Sequence, residues 1–113
     1  MNNILDNKEY IKIVEDILKN EEFNKIKNIE HHGISRFEHS LKVSYNAYKI
    51  AKKLNLNYIE VARGGLLHDF FLSNENRTSK ERFISTFVHP KKALKTSLEN
   101  FDITELEADI IKS

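Results

Sequence analysis

The chain has 113 residues, 18 basic and 17 acidic, for a formal net charge of +1, with 40% hydrophobic and 31% charged side chains. That length suits one domain able to bury roughly two-thirds of its unfolded surface, and the composition excludes a disordered or membrane-spanning chain. The absence of cysteine excludes disulfides, thiolate metal sites and cysteine nucleophiles, and the near-neutral charge excludes dedicated DNA binding, which needs a large basic excess.

The first residues, Met1 to Asp6, lack a basic n-region and a long apolar stretch. The expectation is a cytoplasmic protein without signal peptide or membrane helix. Three glycines and one proline are sparse punctuation, so the chain is expected to be helical throughout. Asp6 and Glu9 have capping-box spacing, followed by a stripe of Tyr10, Val14, Ile17 and Leu18. A short helix through Phe23 and Ile26 follows, then a loop over residues 30–34 containing His31, His32 and Gly33.

Ser35 and Glu38 form a second capping box, opening a long helix from Arg36 to Leu54. On a helical wheel, Phe37, Leu41, Tyr48 and Ala51 share one apolar face. Val43, Ala47, Ile50 and Leu54 form a second apolar stripe, and Lys42, Asn46, Lys49 and Lys53 form the solvated face. His39 falls on the border, where it can reach a cleft while its neighbours hold the core. Asn57 and Glu60 cap the next helix, predicted from Tyr58 to about Phe70. Its residues are nearly all apolar or small, which places it centrally. Gly64 and Gly65 cost about 1 kcal/mol each there, and close approach of a neighbouring backbone is the compensation expected.

The segment from Ser73 to Ser79 reads as a loop. Thr78 and Glu81 cap a short helix carrying Phe83, Ile84 and Phe87. Pro90 starts a separate helix at its first position, where a missing N–H costs nothing, and Ala93, Leu94, Leu98 and Phe101 form its stripe. Thr104 and Glu107 cap a last helix with Leu106, Ile110 and Ile111, and it meets no stop signal before Ser113.

His68 and Asp69 interrupt the most apolar helix of the chain. A lone histidine there reads as a hydrogen-bonded core residue, but an adjacent carboxylate needs a charge partner or a metal. Imidazole and carboxylate together suit a divalent ion. Neighbours on a helix diverge by about 100°, so the pair converges only near a helix end. A hairpin turning at Asn55-Leu56 would run the two long helices antiparallel. His39, near the start of one, would then meet His68 and Asp69, near the end of the other.

This pattern resembles the HD superfamily of metal-dependent phosphohydrolases. The matching stretches are Phe37-Glu38-His39-Ser40 and Ala62-Arg63-Gly64-Gly65-Leu66-Leu67-His68-Asp69, with Phe87-Val88-His89-Pro90 as the next motif. It is similar in particular to small stand-alone bacterial HD proteins, most strongly over residues 30–113. The resemblance implies an all-α single-domain bundle of the HD type across residues 1–113. It also implies hydrolysis of a phosphomonoester, phosphodiester or nucleotide. By that resemblance His39, His68 and Asp69 hold one or two divalent ions (Mn, Fe, Ni, Mg or Zn), with His68 and Asp69 as the catalytic pair. His89 corresponds to a histidine serving a second metal or the substrate phosphate. HD proteins close the first metal site with a late aspartate. None of Glu99, Asp102, Glu105, Glu107 or Asp109 sits in such a motif, so the domain is expected to be incomplete at its C-terminus.

Arg36 and Arg63 are candidates for bidentate phosphate contact, with Arg63 alternatively paired to Glu60. Lys91 and Lys92 sit where a helix N-terminus favours an anion, and Lys92 is the candidate retained. Glu75 is a weaker candidate, as a general base. The expected partner is a small phosphorylated substrate or nucleotide, with a homodimer as a further candidate assembly. The alternative function is a catalytically silent helical module for ligand binding or assembly, using an apolar face left uncovered.

Overall fold

Side-chain caps open several helices of this protein. The computed structural model describes residues 2–31, 33–71 and 79–112, with side chains described over 4–30, 33–71 and 90–112. A short helix, α1 (Asn2–Asp6), precedes α2 (Lys8–Lys19). Asn7, rather than Asp6, caps α2, its carboxamide oxygen accepting from Tyr10 N at 3.0 Å. Glu9 is drawn away from any capping box because it accepts from the Tyr48 hydroxyl and Lys52 Nζ. Of the expected stripe, Tyr10, Val14 and Ile17 are fully buried and Leu18 is partly buried.

Next come α3 (Glu21–Asn24) and a 3-10 turn (Lys25–Asn28), which bury Phe23 and Ile26. The predicted loop is instead a minimal antiparallel ribbon, β1 (Glu30–His31) against β2 (Ile34–Ser35). Gly33, at φ +85°, turns it in a conformation glycine alone adopts cheaply. The fold remains all-α.

Ser35 caps α4 (Arg36–Lys53) as read, its hydroxyl accepting from Glu38 N at 3.1 Å. The helix ends in a Schellman turn. Leu56 N donates to Ala51 O at 2.9 Å, Asn55 N donates to Lys52 O at 3.3 Å, and Asn55 sits at φ 57°. That turn reverses the chain into α5 (Tyr58–Leu67). Asn57 makes no side-chain capping bond to α5, and Glu60 is engaged elsewhere, accepting from Thr104 Oγ1 at 2.6 Å.

The α4–α5 pair is close because small residues meet. A Cβ on Gly65 would lie 3.3 Å from Ser44 Cα, and Ser44 Oγ donates to Ala62 O at 2.6 Å. Tyr10 Oη donates in turn to Ser44 Oγ at 2.7 Å, tying α2 to the hairpin. Such close approach uses only one face of α4, lined by Ser40, Leu41, Ser44, Tyr48 and Ala51. The second apolar stripe is left outside, with Ile50 61% and Leu54 62% exposed.

The two predicted helices around Pro90 are one helix, α6 (Ser79–Asn100), which runs through the proline. Proline lacks the N–H for a bond to the preceding turn, but that loss does not end α6. Thr78, Glu81, Phe83, Ile84 and Phe87 belong to expectations that lie outside the described side chains. The last helix, α7 (Glu105–Lys112), has a full capping box. Glu107 N donates to Thr104 Oγ1 at 3.1 Å, and Thr104 N donates to Glu107 Oε1 at 3.0 Å. Among the described residues, no helix is long and apolar enough to cross a membrane.

Candidate metal centre

Helix α5 stops at Leu67, and His68 and Asp69 occupy the turn that follows. Leaving the helix there frees the two side chains from the 100° divergence of helical neighbours. Phe70 and Phe71 then plunge into the core. The Phe70 ring meets Phe23 at 5.3 Å and Phe101 at 6.2 Å between centroids, which fixes the turn from below.

His39 reaches the same place from the first turns of α4. Its ring centroid lies 6.1 Å from that of His68. His39 Nε2 is 3.9 Å from Asp69 Oδ2, and His68 Nε2 is 3.2 Å from the same oxygen. One donor atom from each of the three residues lies within 4.8 Å of the others, and all three side chains are partly exposed. Among the described residues this is the cluster whose spacing suits a metal ion.

The protonation of the site can be read from its hydrogen bonds. His68 Nδ1 lies 2.5 Å from Gly65 O. A carbonyl only accepts, so Nδ1 carries a proton, and Nε2 is the atom presented to Asp69. Burial works to lower the His68 pKa, but the hydrogen bond and charge of Asp69 outweigh it and leave the imidazole raised above 6.5. Burial likewise works to raise Asp69. Hydrogen bonding from His68, with the charges of His68, Arg36 and His39, prevails and holds the carboxyl below 3.8.

Other sequence candidates are placed differently. Arg63 does not pair with Glu60 and is not gathered with the cluster. Its guanidinium grips Asp16 at 2.6 and 2.9 Å, Ile13 O at 2.9 Å and Glu107 at 3.1 Å, tying α5 to α2 and α7. Every face of the fork is thus engaged within the fold. Arg36 is buried, with Nη1 donating to Phe71 O at 2.6 Å. Lys92 lies partly buried on α6, and its ammonium makes no ion pair among the described residues. His89 falls within α6, but its side chain, like those of His31 and His32, lies outside the described residues, as does Glu75. Sequence reasoning missed the Gly65 carbonyl as the partner of His68. The available signal was its position three residues earlier, one turn back on the same face.

With two imidazoles and one carboxylate converging at a helix end, comparison with known sequences settles the family. A family model described as HD domain matches residues 36–111, a span that contains all three donors. The chain belongs to the HD domain family. HD domains typically bind divalent metals, and the family is generally one of hydrolases. The chain is also similar to an uncharacterized protein of Methanocaldococcus jannaschii, MJ1154, at 33% identity over 103 residues. That match covers 80% of this chain and 23% of the archaeal protein, so the chain spans less than a quarter of that relative's length. No solved structure matches the chain.

Proposed function

We propose that this HD-type domain, taken as residues 1–113, is a metal-dependent phosphohydrolase acting on a phosphomonoester, phosphodiester or nucleotide. His39, His68 and Asp69 are its metal ligands. The supporting observation is the convergence of these three donors within 4.8 Å from two antiparallel helices. The donor set fits a divalent ion of the manganese-to-zinc series better than magnesium, which prefers oxygen ligands. An ion held there would supply Lewis acidity toward a phosphate oxygen and acidify a water.

The chain's own groups account for the rest. The Gly65 carbonyl orients His68 and leaves Nε2 as the donor atom. Partial exposure of the three side chains admits a substrate from solvent. His89 and Lys92, three residues apart in the sequence of α6, are proposed as contacts for phosphate, with His89 also a candidate for a second metal.

The test is turnover of nitrophenyl phosphate mono- and diesters and of nucleotides with added Mn²⁺, Fe²⁺ or Ni²⁺. Metal-stimulated hydrolysis that disappears in His68→Ala and Asp69→Asn supports the proposal. Hydrolysis indifferent to metal and to both substitutions contradicts it. One observation favours a second reading, assembly through α4: the exposed stripe containing Ile50 and Leu54.

A further inference from the structure

The three donors belong to two segments that no shared helix holds together. His39 is fixed by α4, but Asp69 lies past the last residue of α5, in a turn that Phe70 N ties back to Leu67 O at 3.0 Å. Arg36 bridges the two. It opens α4, three residues before His39, and its backbone N–H donates to Ile29 O at 2.6 Å. The residue is 2% exposed, Nη1 donates to Phe71 O at 2.6 Å, and the guanidinium carbon lies 4.0 Å from the Phe71 ring centroid. Phe71 N donates in turn to Asp69 O at 2.8 Å. A continuous path of contacts therefore runs from the start of α4 to the backbone of Asp69.

We infer that Arg36 is a positioning residue of the metal centre, clamping the Asp69–Phe71 turn to the first turn of the helix that bears His39. The inference rests on the proposed role of the three donors. Arginine suits the task because its planar head can stack on a ring while its edge donates to a carbonyl. A lysine ammonium supplies a point charge but not both contacts at once. Methionine keeps much of the volume and loses the donors.

The experiment compares wild type, Arg36→Lys and Arg36→Met in three measurements: cooperative thermal unfolding, Mn²⁺ affinity by calorimetry, and the imidazole ring resonances of His39 and His68 in metal-free protein. Arg36→Met is expected to unfold cooperatively, bind Mn²⁺ about 10- to 100-fold more weakly and shift both ring resonances, with Arg36→Lys recovering part of the loss. A folded Arg36→Met protein with Mn²⁺ affinity within about twofold of wild type would overturn the inference. If wild type binds no Mn²⁺, the metal reading fails by itself and the ring resonances decide: unmoved resonances overturn the clamp, shifted ones uphold it. Should Arg36→Met fail to fold, Phe71→Leu, which removes the stacked ring and keeps the carbonyl, is judged by the same criteria.

Discussion

His68 Nε2 stands 3.2 Å from Asp69 Oδ2, while its other ring nitrogen is tied to the Gly65 carbonyl. When His68 is protonated its Nε2–H faces Asp69 Oδ2, and a metal ion bound at the same atoms displaces that proton. The His68 pKa is raised, so its stabilising contribution is full below 6.5 and is lost as pH climbs through the folded value. The Asp69 pKa is lowered, so its contribution is present above 3.8 and is lost as pH falls through the folded value. The metal-free protein should therefore lose stability as pH rises beyond 6.5, while metal affinity increases over the same range. Thermal unfolding without metal and Mn²⁺ titration, both across roughly pH 5 to 8, check the two slopes, and His68→Ala should flatten both.

Gly64 is sterically committed to α7. A Cβ there would lie 2.7 Å from Ile110 Cγ2 and 2.8 Å from Ile110 Cβ. Alanine gains about 1 kcal/mol in helix propensity, but overpacking against a neighbouring helix costs about 1–3 kcal/mol. Gly64→Ala is expected to lower stability by about 1 kcal/mol, and by less in an Ile110→Gly background where Cβ, Cγ2 and Cδ1 are all gone. Denaturant unfolding of the four variants in the cycle measures this.

Arg63 should prove structural, with unequal partners. The Glu107 side chain is 3% exposed, whereas that of Asp16 is 55% exposed. Arg63→Met strands a buried carboxylate and is expected to cost about 3 kcal/mol. Asp16→Ala removes a screened surface partner and should cost less than about 1 kcal/mol. In an Arg63→Met/Glu107→Gln protein, where the side-chain oxygen can still accept from Thr104 N, most of the larger loss should return, as read by the unfolding midpoint.

Ser40, the neighbour of His39, has a buried hydroxyl with no hydrogen-bond partner among the described residues. An orphaned buried hydroxyl costs about 1–3 kcal/mol, so Ser40→Ala should raise the Tm and leave Mn²⁺ affinity unchanged. A lower Tm or a weaker affinity would show that this hydroxyl has a partner.

The convergence of His39, His68 and Asp69 was legible in the sequence because it depends on topology more than on side-chain detail. A short turn at Asn55-Leu56 forces antiparallel helices, and that alone brings the start of α4 to the end of α5. The Ser35 cap and the Thr104–Glu107 box were legible because their partners lie within the same turn. The reading of Asp6 failed because Glu9 is claimed by Tyr48 and Lys52 across the core. The arginines were illegible for the same reason. Their long side chains reach Phe71, Asp16 and Glu107, contacts that exist only after α2, α5 and α7 have come together. The outer stripe of α4 was misread because helical periodicity reports two apolar faces and cannot say which one α5 covers.

His39, His68 and Asp69 are proposed to share one metal ion. The most direct test is metal content and Mn²⁺ calorimetry on wild type, His39→Ala, His68→Ala and Asp69→Asn. Wild type should bind Mn²⁺ saturably, with each substitution weakening it at least about tenfold while cooperative unfolding persists. Saturable binding that survives all three substitutions, or folded wild type that takes up no divalent ion, would contradict the account.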